Sequence, residues 1–138
     1  MDTPDSKPPQ VENKEGFGRR IIIADDELIV RRPIERFLIS LGYTVEVVDN
    51  GQQLLDKLAA GEKYDLVITD NDMPVMKGVE AVRKIRELYP DLPVIIYSGG
   101  GKTDEIRELR VRFLAKPFEL QEFRSIVKKM IAGGDGEI

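Results

Sequence analysis

Residues 66–74 read Leu66-Val67-Ile68-Thr69-Asp70-Asn71-Asp72-Met73-Pro74, an apolar and β-branched run that drives straight into an acidic turn. Such a run, without polar alternation, suits a strand covered on both faces, as the strands of a parallel sheet are. Three further runs share the pattern: Ile21-Ile22-Ile23-Ala24, Val94-Ile95-Ile96-Tyr97 and Phe113-Leu114-Ala115. Thr44-Val45-Glu46-Val47-Val48 departs from it, because Glu46 puts a charge mid-run, and that suits a sheet edge.

Amphipathic stretches fill the gaps. The spacing predicts helices over 28–41 and 52–60, each stopped by a following glycine (Gly42, Gly61), and over 79–89, stopped at Pro90. Further helices are predicted over 103–110 and 119–131, the last with Leu120, Phe123, Ile126, Val127, Met130 and Ile131 on one apolar face read as core. Strand and helix alternate five times, which predicts an α/β fold: a (βα)5 doubly wound parallel five-stranded sheet, order 2-1-3-4-5, flavodoxin-like.

The chain has 138 residues, enough for one ordinary domain, with 41% hydrophobic and 33% charged residues, a soluble balance. Residues 1–18 are polar and proline-rich and are expected to form a flexible leader; 19–131 form the domain; 132–138 are a flexible tail or linker stub. No run is long enough to cross a bilayer and the N-terminus lacks a secretory apolar core, so a cytoplasmic location is expected. Absence of cysteine excludes disulfides and thiolate metal sites, and absence of histidine removes the commonest general base. A net charge of −4 argues against direct nucleic-acid binding.

In a sheet of this order, ligands bind at the carboxyl ends of the strands, where the order reverses between the first and third. The residues at those ends are Asp25-Asp26-Glu27, Asp70-Asn71-Asp72, Ser98 and Lys116-Pro117. Adjacent strands are about 4.8 Å apart, so Asp25, Asp26 and Asp70 must converge, and such a group is unfavourable without a cation. All-oxygen donors favour Mg²⁺. A carboxylate nucleophile, a divalent metal, the Lys116 ammonium and the Ser98 hydroxyl together make a phosphoryl-transfer site that needs no general base.

These residues resemble the receiver domain of bacterial two-component response regulators, of the single-domain chemotaxis-regulator kind. The resemblance rests on Ile22-Ile23-Ala24-Asp25-Asp26-Glu27, on Thr69-Asp70-Asn71-Asp72-Met73-Pro74 with Gly78 beyond, on Ile95-Ile96-Tyr97-Ser98-Gly99 and on Phe113-Leu114-Ala115-Lys116-Pro117-Phe118. It implies a phosphorylation-dependent switch that is not itself an enzyme, in which Asp70 accepts a phosphoryl group from a sensor histidine kinase or phosphotransfer protein. Mg²⁺, with Mn²⁺ as a substitute, would be held by Asp26 directly, by Asp25 largely through water, by Asp70, and by the backbone carbonyl of Asp72. Ser98 and Lys116 would hold the phosphoryl oxygens, Phe113 would swing inward as Ser98 moves, and the Lys116-Pro117 bond would be cis. The downstream partner is unknown, and the chain is expected to be a monomer or weak dimer.

Three features depart from the usual pattern. Pro33 falls inside the first helix and should kink or delay it, with an effect on kinase choice. The segment between Ser98 and Lys116 is about one helical turn short, so the fourth helix should be stunted. Gly99-Gly100-Gly101 follow Ser98 directly, and Gly99 and Gly100 are expected to leave an acyl phosphate open to water. Two other functions use similar residues. A haloacid-dehalogenase-like phosphatase carries its Asp-x-Asp after the first strand of its core, whereas Asp70-Asn71-Asp72 follows the third here. A non-phosphorylated pseudo-receiver would have lost functional positions that this chain retains.

Overall fold

The computed structural model describes residue 11 and residues 14–133. Ten elements alternate: β1 Arg20–Ala24, α1 Leu28–Ser40, β2 Thr44–Val48, α2 Gly51–Ala59, β3 Leu66–Asp70, α3 Gly78–Leu88, β4 Val94–Ser98, α4 Asp104–Arg107, β5 Arg112–Ala115 and α5 Leu120–Ile131. The strands are parallel in the order β2-β1-β3-β4-β5, as the strand pattern predicts. β2 is an edge strand, and the charge that marked it is neutralised: Glu46 takes an ion pair from Arg20, a 3.6 Å contact from Lys57 and the Tyr64 hydroxyl at 2.8 Å.

Side chains alternate across the sheet, and the alternation divides the core into two layers. Ile21, Ile23, Leu66, Ile68, Ile95, Tyr97 and Leu114 face α1 and α5, where Ile34, Leu38, Phe123, Val127 and Met130 meet them. Ile22, Ala24, Val67, Val94 and Ile96 face the other way, against Leu54, Val79, Val82, Ile85 and Ile106 of α2, α3 and α4. Burying each such aliphatic side chain contributes roughly 1.5–3 kcal/mol, which is what holds strands this short in register.

Three expectations are corrected. The leader does not extend to residue 18. Residues 14–18 form a turn laid across the end of the sheet opposite the functional strand ends, with Gly16 N–H donating to the Leu41 carbonyl at 2.8 Å. The Tyr43 ring packs so closely on Gly16 that a Cβ there would stand 2.4 Å from it. Glu15 reaches Arg124 on α5 at 2.9 Å, and that hydrogen bond holds the Glu15 carboxyl below its ordinary pKa. The rest of the expected leader, residues 1–10, 12 and 13, and residues 134–138 of the expected tail lie outside the described residues.

Pro33 does not delay α1, which starts at Leu28 and continues through it. Its missing N–H would have served the carbonyl of Ile29, a first-turn residue exposed to water, so hydration replaces the lost bond. The fourth helix is stunted, as expected, but its bounds shrink from the expected 103–110: α4 has four residues, begun by Thr103 Oγ1 accepting from Ile106 N–H at 3.3 Å. Arg86 of α3 holds the turn that follows it. Its guanidinium takes the carbonyls of Leu109 at 2.8 Å and Arg110 at 3.0 Å, and Arg110 turns to φ 54°.

Candidate functional site

The site is built on the layer that faces α1 and α5. Continuing the strand alternation carries Asp25 beyond Ile23, Asp70 beyond Ile68, and Lys116 beyond Leu114 to the same side as Tyr97. Asp25 and Asp70 are wholly buried, whereas Asp26 and Glu27 are exposed at the rim. Carboxylate oxygens of Asp25, Asp26, Glu27 and Asp70 all lie within 4.8 Å of one another. At that spacing two like charges repel by about 3 kcal/mol at an effective dielectric of about 20. The donor set is all oxygen and strongly anionic, so it fits a hard divalent cation such as Mg²⁺.

Each acid is placed by local structure. The Asp25 N–H continues the β1 ladder to the Val48 carbonyl at 3.1 Å, and its carbonyl accepts from Arg31 at 2.9 Å. Asp25 Oδ1 accepts the Glu27 N–H at 2.8 Å and Oδ2 accepts the Tyr97 hydroxyl. The cap position of α1 falls to Glu27, so Asp26 is not consumed as a helix cap. Asp70 ends β3, with Oδ1 accepting the Asp72 N–H at 3.1 Å and Oδ2 standing 3.4 Å from Lys116 Nζ.

The turn after Asp70 is held by its neighbours. Asn71 Oδ1 accepts the Val79 N–H at 2.9 Å, tying the start of α3 back to the end of β3. Gly78 packs on the backbone of Asp70, where a Cβ would come within 2.3 Å of the Asp70 carbonyl oxygen, which is why glycine stands there. Burial pushes the Asp70 carboxyl up to about 6; the Asp72 N–H opposes this, the Asp25 charge adds to it and Lys116 opposes it.

Ser98 is buried at the end of β4, on the opposite parity from Tyr97. Its hydroxyl donates to Asp72 Oδ2 at 3.1 Å and accepts the Gly100 N–H at 3.0 Å. The Asp72 side chain is therefore engaged with Ser98 and does not join the acidic cluster. Phe113, opposite Ile96 in the sheet, is half-buried against the layer under α2, α3 and α4. Gly99 and Gly100 are exposed, and a Cβ at Gly99 would meet nothing within 4 Å. The Lys116-Pro117 bond is cis, as the resemblance implies. Two participants escaped the sequence reading. Glu27 was seen only as part of an acidic run, and Tyr97 was taken as one more apolar strand residue, although a buried phenol needs a partner for its hydroxyl.

The family model of the response regulator receiver domain matches residues 21–128. A chemotaxis protein CheY homologue of Campylobacter jejuni is 32% identical over 125 residues, covering 86% of this chain and 96% of that one. Among solved structures, the response regulator TrrA of Thermotoga maritima in complex with Mg²⁺-BeF has a TM-score of 0.75 at 30% identity, over 81% of this chain and 98% of that one. TrrA in complex with the histidine kinase ThkA has a TM-score of 0.74 at 30% identity, over 81% of this chain and 97% of that one.

Proposed function

This chain belongs to the response regulator receiver family, a phosphorylation-dependent signalling switch, and from that premise we propose that Asp70 is its phosphoryl acceptor. The observation that carries the reading is the pairing of buried Asp70 with Lys116 at 3.4 Å beside three further carboxylates. Asp25, Asp26, Asp70 and the Asp72 carbonyl would hold Mg²⁺, with Glu27 at the rim. The cation, when bound, neutralises charge on the phosphoryl oxygens during transfer.

The residues of the chain account for the remaining chemistry. An Asp70 carboxylate oxygen forms the new P–O bond as the donor's P–N bond breaks, and that electron pair returns to the imidazole nitrogen of the donor. Lys116 meets the charge that Asp70 gains. Ser98 releases Asp72 to donate to a phosphoryl oxygen, and Phe113 moves inward behind it, in a two-state equilibrium biased by the new charge. No general base is required, because the nucleophile is already an anion. The chain assists its own phosphorylation and dephosphorylation and has no other enzymatic role.

The donor we infer is a sensor histidine kinase or phosphotransfer protein in the cytoplasm, supported by the likeness to TrrA, which has been crystallised with a kinase. Exposed Leu28, Ile29 and Pro33 on α1 give that donor an apolar surface near the acidic rim. Among the described residues no helix is long and apolar enough to cross a membrane. The test is incubation with acetyl phosphate and Mg²⁺ followed by mass measurement. The wild type gains one phosphoryl mass and Asp70→Asn does not. A wild type of unchanged mass refutes acceptance, and an equally labelled variant moves the site elsewhere.

A further inference from the structure

Tyr97 is the largest fully buried side chain among the described residues, and it carries a hydroxyl into a layer whose strand positions around it are aliphatic. An aliphatic residue would fill a strand position there without a polar group to satisfy, so the aim of the hydroxyl is informative. It donates to Asp25 Oδ2, while Asp25 Oδ1 accepts the Glu27 N–H at 2.8 Å. Both oxygens of a buried acid are thereby held, and the plane of the carboxylate is set from two sides.

The ring has neighbours of its own. Its edge meets Phe118 with centroids 5.8 Å apart, and Lys116 Nζ lies 5.1 Å from its centroid. The Tyr97 carbonyl accepts the Asn71 N–H at 3.0 Å, one residue beyond Asp70. One residue on β4 thus touches the acid that follows β1, the lysine that follows β5 and the turn that follows β3.

We infer that Tyr97 is a positioning residue for the cation, its hydroxyl orienting the Asp25 carboxylate so that the remaining lone pairs face the site. This rests on the reading of the cluster as a Mg²⁺ site. A ligand held by a fixed partner gives up less freedom when a cation arrives, and losing such a partner costs about 10–100-fold in metal affinity. Tyr97→Phe keeps the ring, its edge contact and the lysine above it, and removes only the donor.

The experiment is a Mg²⁺ titration of the full chain followed by amide NMR, which reports folding and the dissociation constant together. Tyr64→Phe is the control, since it removes a tyrosine-to-carboxylate hydrogen bond at Glu46, far from the acidic cluster. The expected result is about tenfold weaker Mg²⁺ binding by folded Tyr97→Phe, with Tyr64→Phe matching the wild type. Affinity within twofold of wild type overturns the inference, whatever happens to the melting temperature. Should Tyr97→Phe fail to fold, the Cζ resonance of Tyr97 in the wild type decides. Movement on Mg²⁺ saturation, with Tyr64 and Tyr89 still, supports the inference, and no movement overturns it. A wild type that binds no Mg²⁺ overturns the underlying site reading, before any variant is compared.

Discussion

Lys116 Nζ stands 3.4 Å from Asp70 Oδ2, a single cation set against a fully buried acid. Burial raises the Asp70 pKa and this ammonium restrains the rise. Lys116→Met removes the restraint while keeping the aliphatic stem, so Asp70 should titrate about one unit higher, above its present value of about 6. Carbonyl-detected NMR of Asp70 across pH 4–9 reads this directly, and an unmoved midpoint would show that the ammonium is too well solvated to matter.

The same acid predicts how stability depends on pH. Its folded pKa is about 6 against an ordinary 3.8, so folding favours the protonated form. The contribution is full below about pH 4 and is lost as pH rises through 6, a swing of about 3 kcal/mol. Without added metal, Asp70→Asn should therefore be more stable than wild type at pH 7, with the gap closing at pH 4. Urea midpoints at the two pH values check both halves, and a gap that persists at pH 4 would assign the effect to packing instead.

Gly78→Ala drives a methyl group to within 2.3 Å of the Asp70 carbonyl oxygen, which is backbone and cannot swing aside. The cost should be roughly 2–3 kcal/mol, and phosphorylation from acetyl phosphate should slow because the Asp70 turn is displaced. Chemical denaturation and mass-detected labelling of one preparation measure the two effects.

Gly99 has open space where a side chain would start, and at Gly100 a Cβ would meet only the Ser98 hydroxyl at 3.5 Å. Gly99→Leu and Gly100→Leu should fold and shield the acyl phosphate from water, slowing its loss several-fold. Decay of the labelled mass after removal of donor gives the rate, and rates equal to wild type would dispose of the water-access role.

Glu15, Gly16 and Arg124 fasten residues 14–18 to α5 and to the end of α1. Arg124→Gln should release that turn, seen as faster hydrogen exchange at the Gly16 amide, with the Asp25 and Asp70 amides unchanged. Exchange at wild-type rate would show that the Gly16 hydrogen bond to Leu41 and the Tyr43 ring hold the turn without Arg124.

What was legible in the sequence was what depends on periodicity. Runs such as Ile21-Ile22-Ile23 and Val94-Ile95-Ile96 have one way to be buried, so strand positions, their order and the convergence of Asp25, Asp26 and Asp70 followed. The anchoring of residues 14–18 was not legible, because it depends on a glycine under a distant ring and an ion pair across 109 positions, in a stretch with little apolar character. The turn that closes off the short α4 involves Arg86, a surface-type residue that reaches the carbonyls of Leu109 and Arg110 more than twenty positions away. Tyr97 was hidden by its company: three apolar neighbours, Val94, Ile95 and Ile96, made a phenol look like filler.

The two-layer core has a consequence for how a signal could travel. Asp25, Asp70, Tyr97 and Lys116 belong to one side of the sheet, while Phe113 packs on the other and Ser98 alternates away from Tyr97. The sheet is therefore a partition, with the charged groups collected in one compartment and the proposed switch residues, Ser98 and Phe113, in the next. On the proposed function, the step from Tyr97 to Ser98 would be a doorway in that wall, one peptide wide, through which an event at Asp70 would become news for α4 and its surroundings.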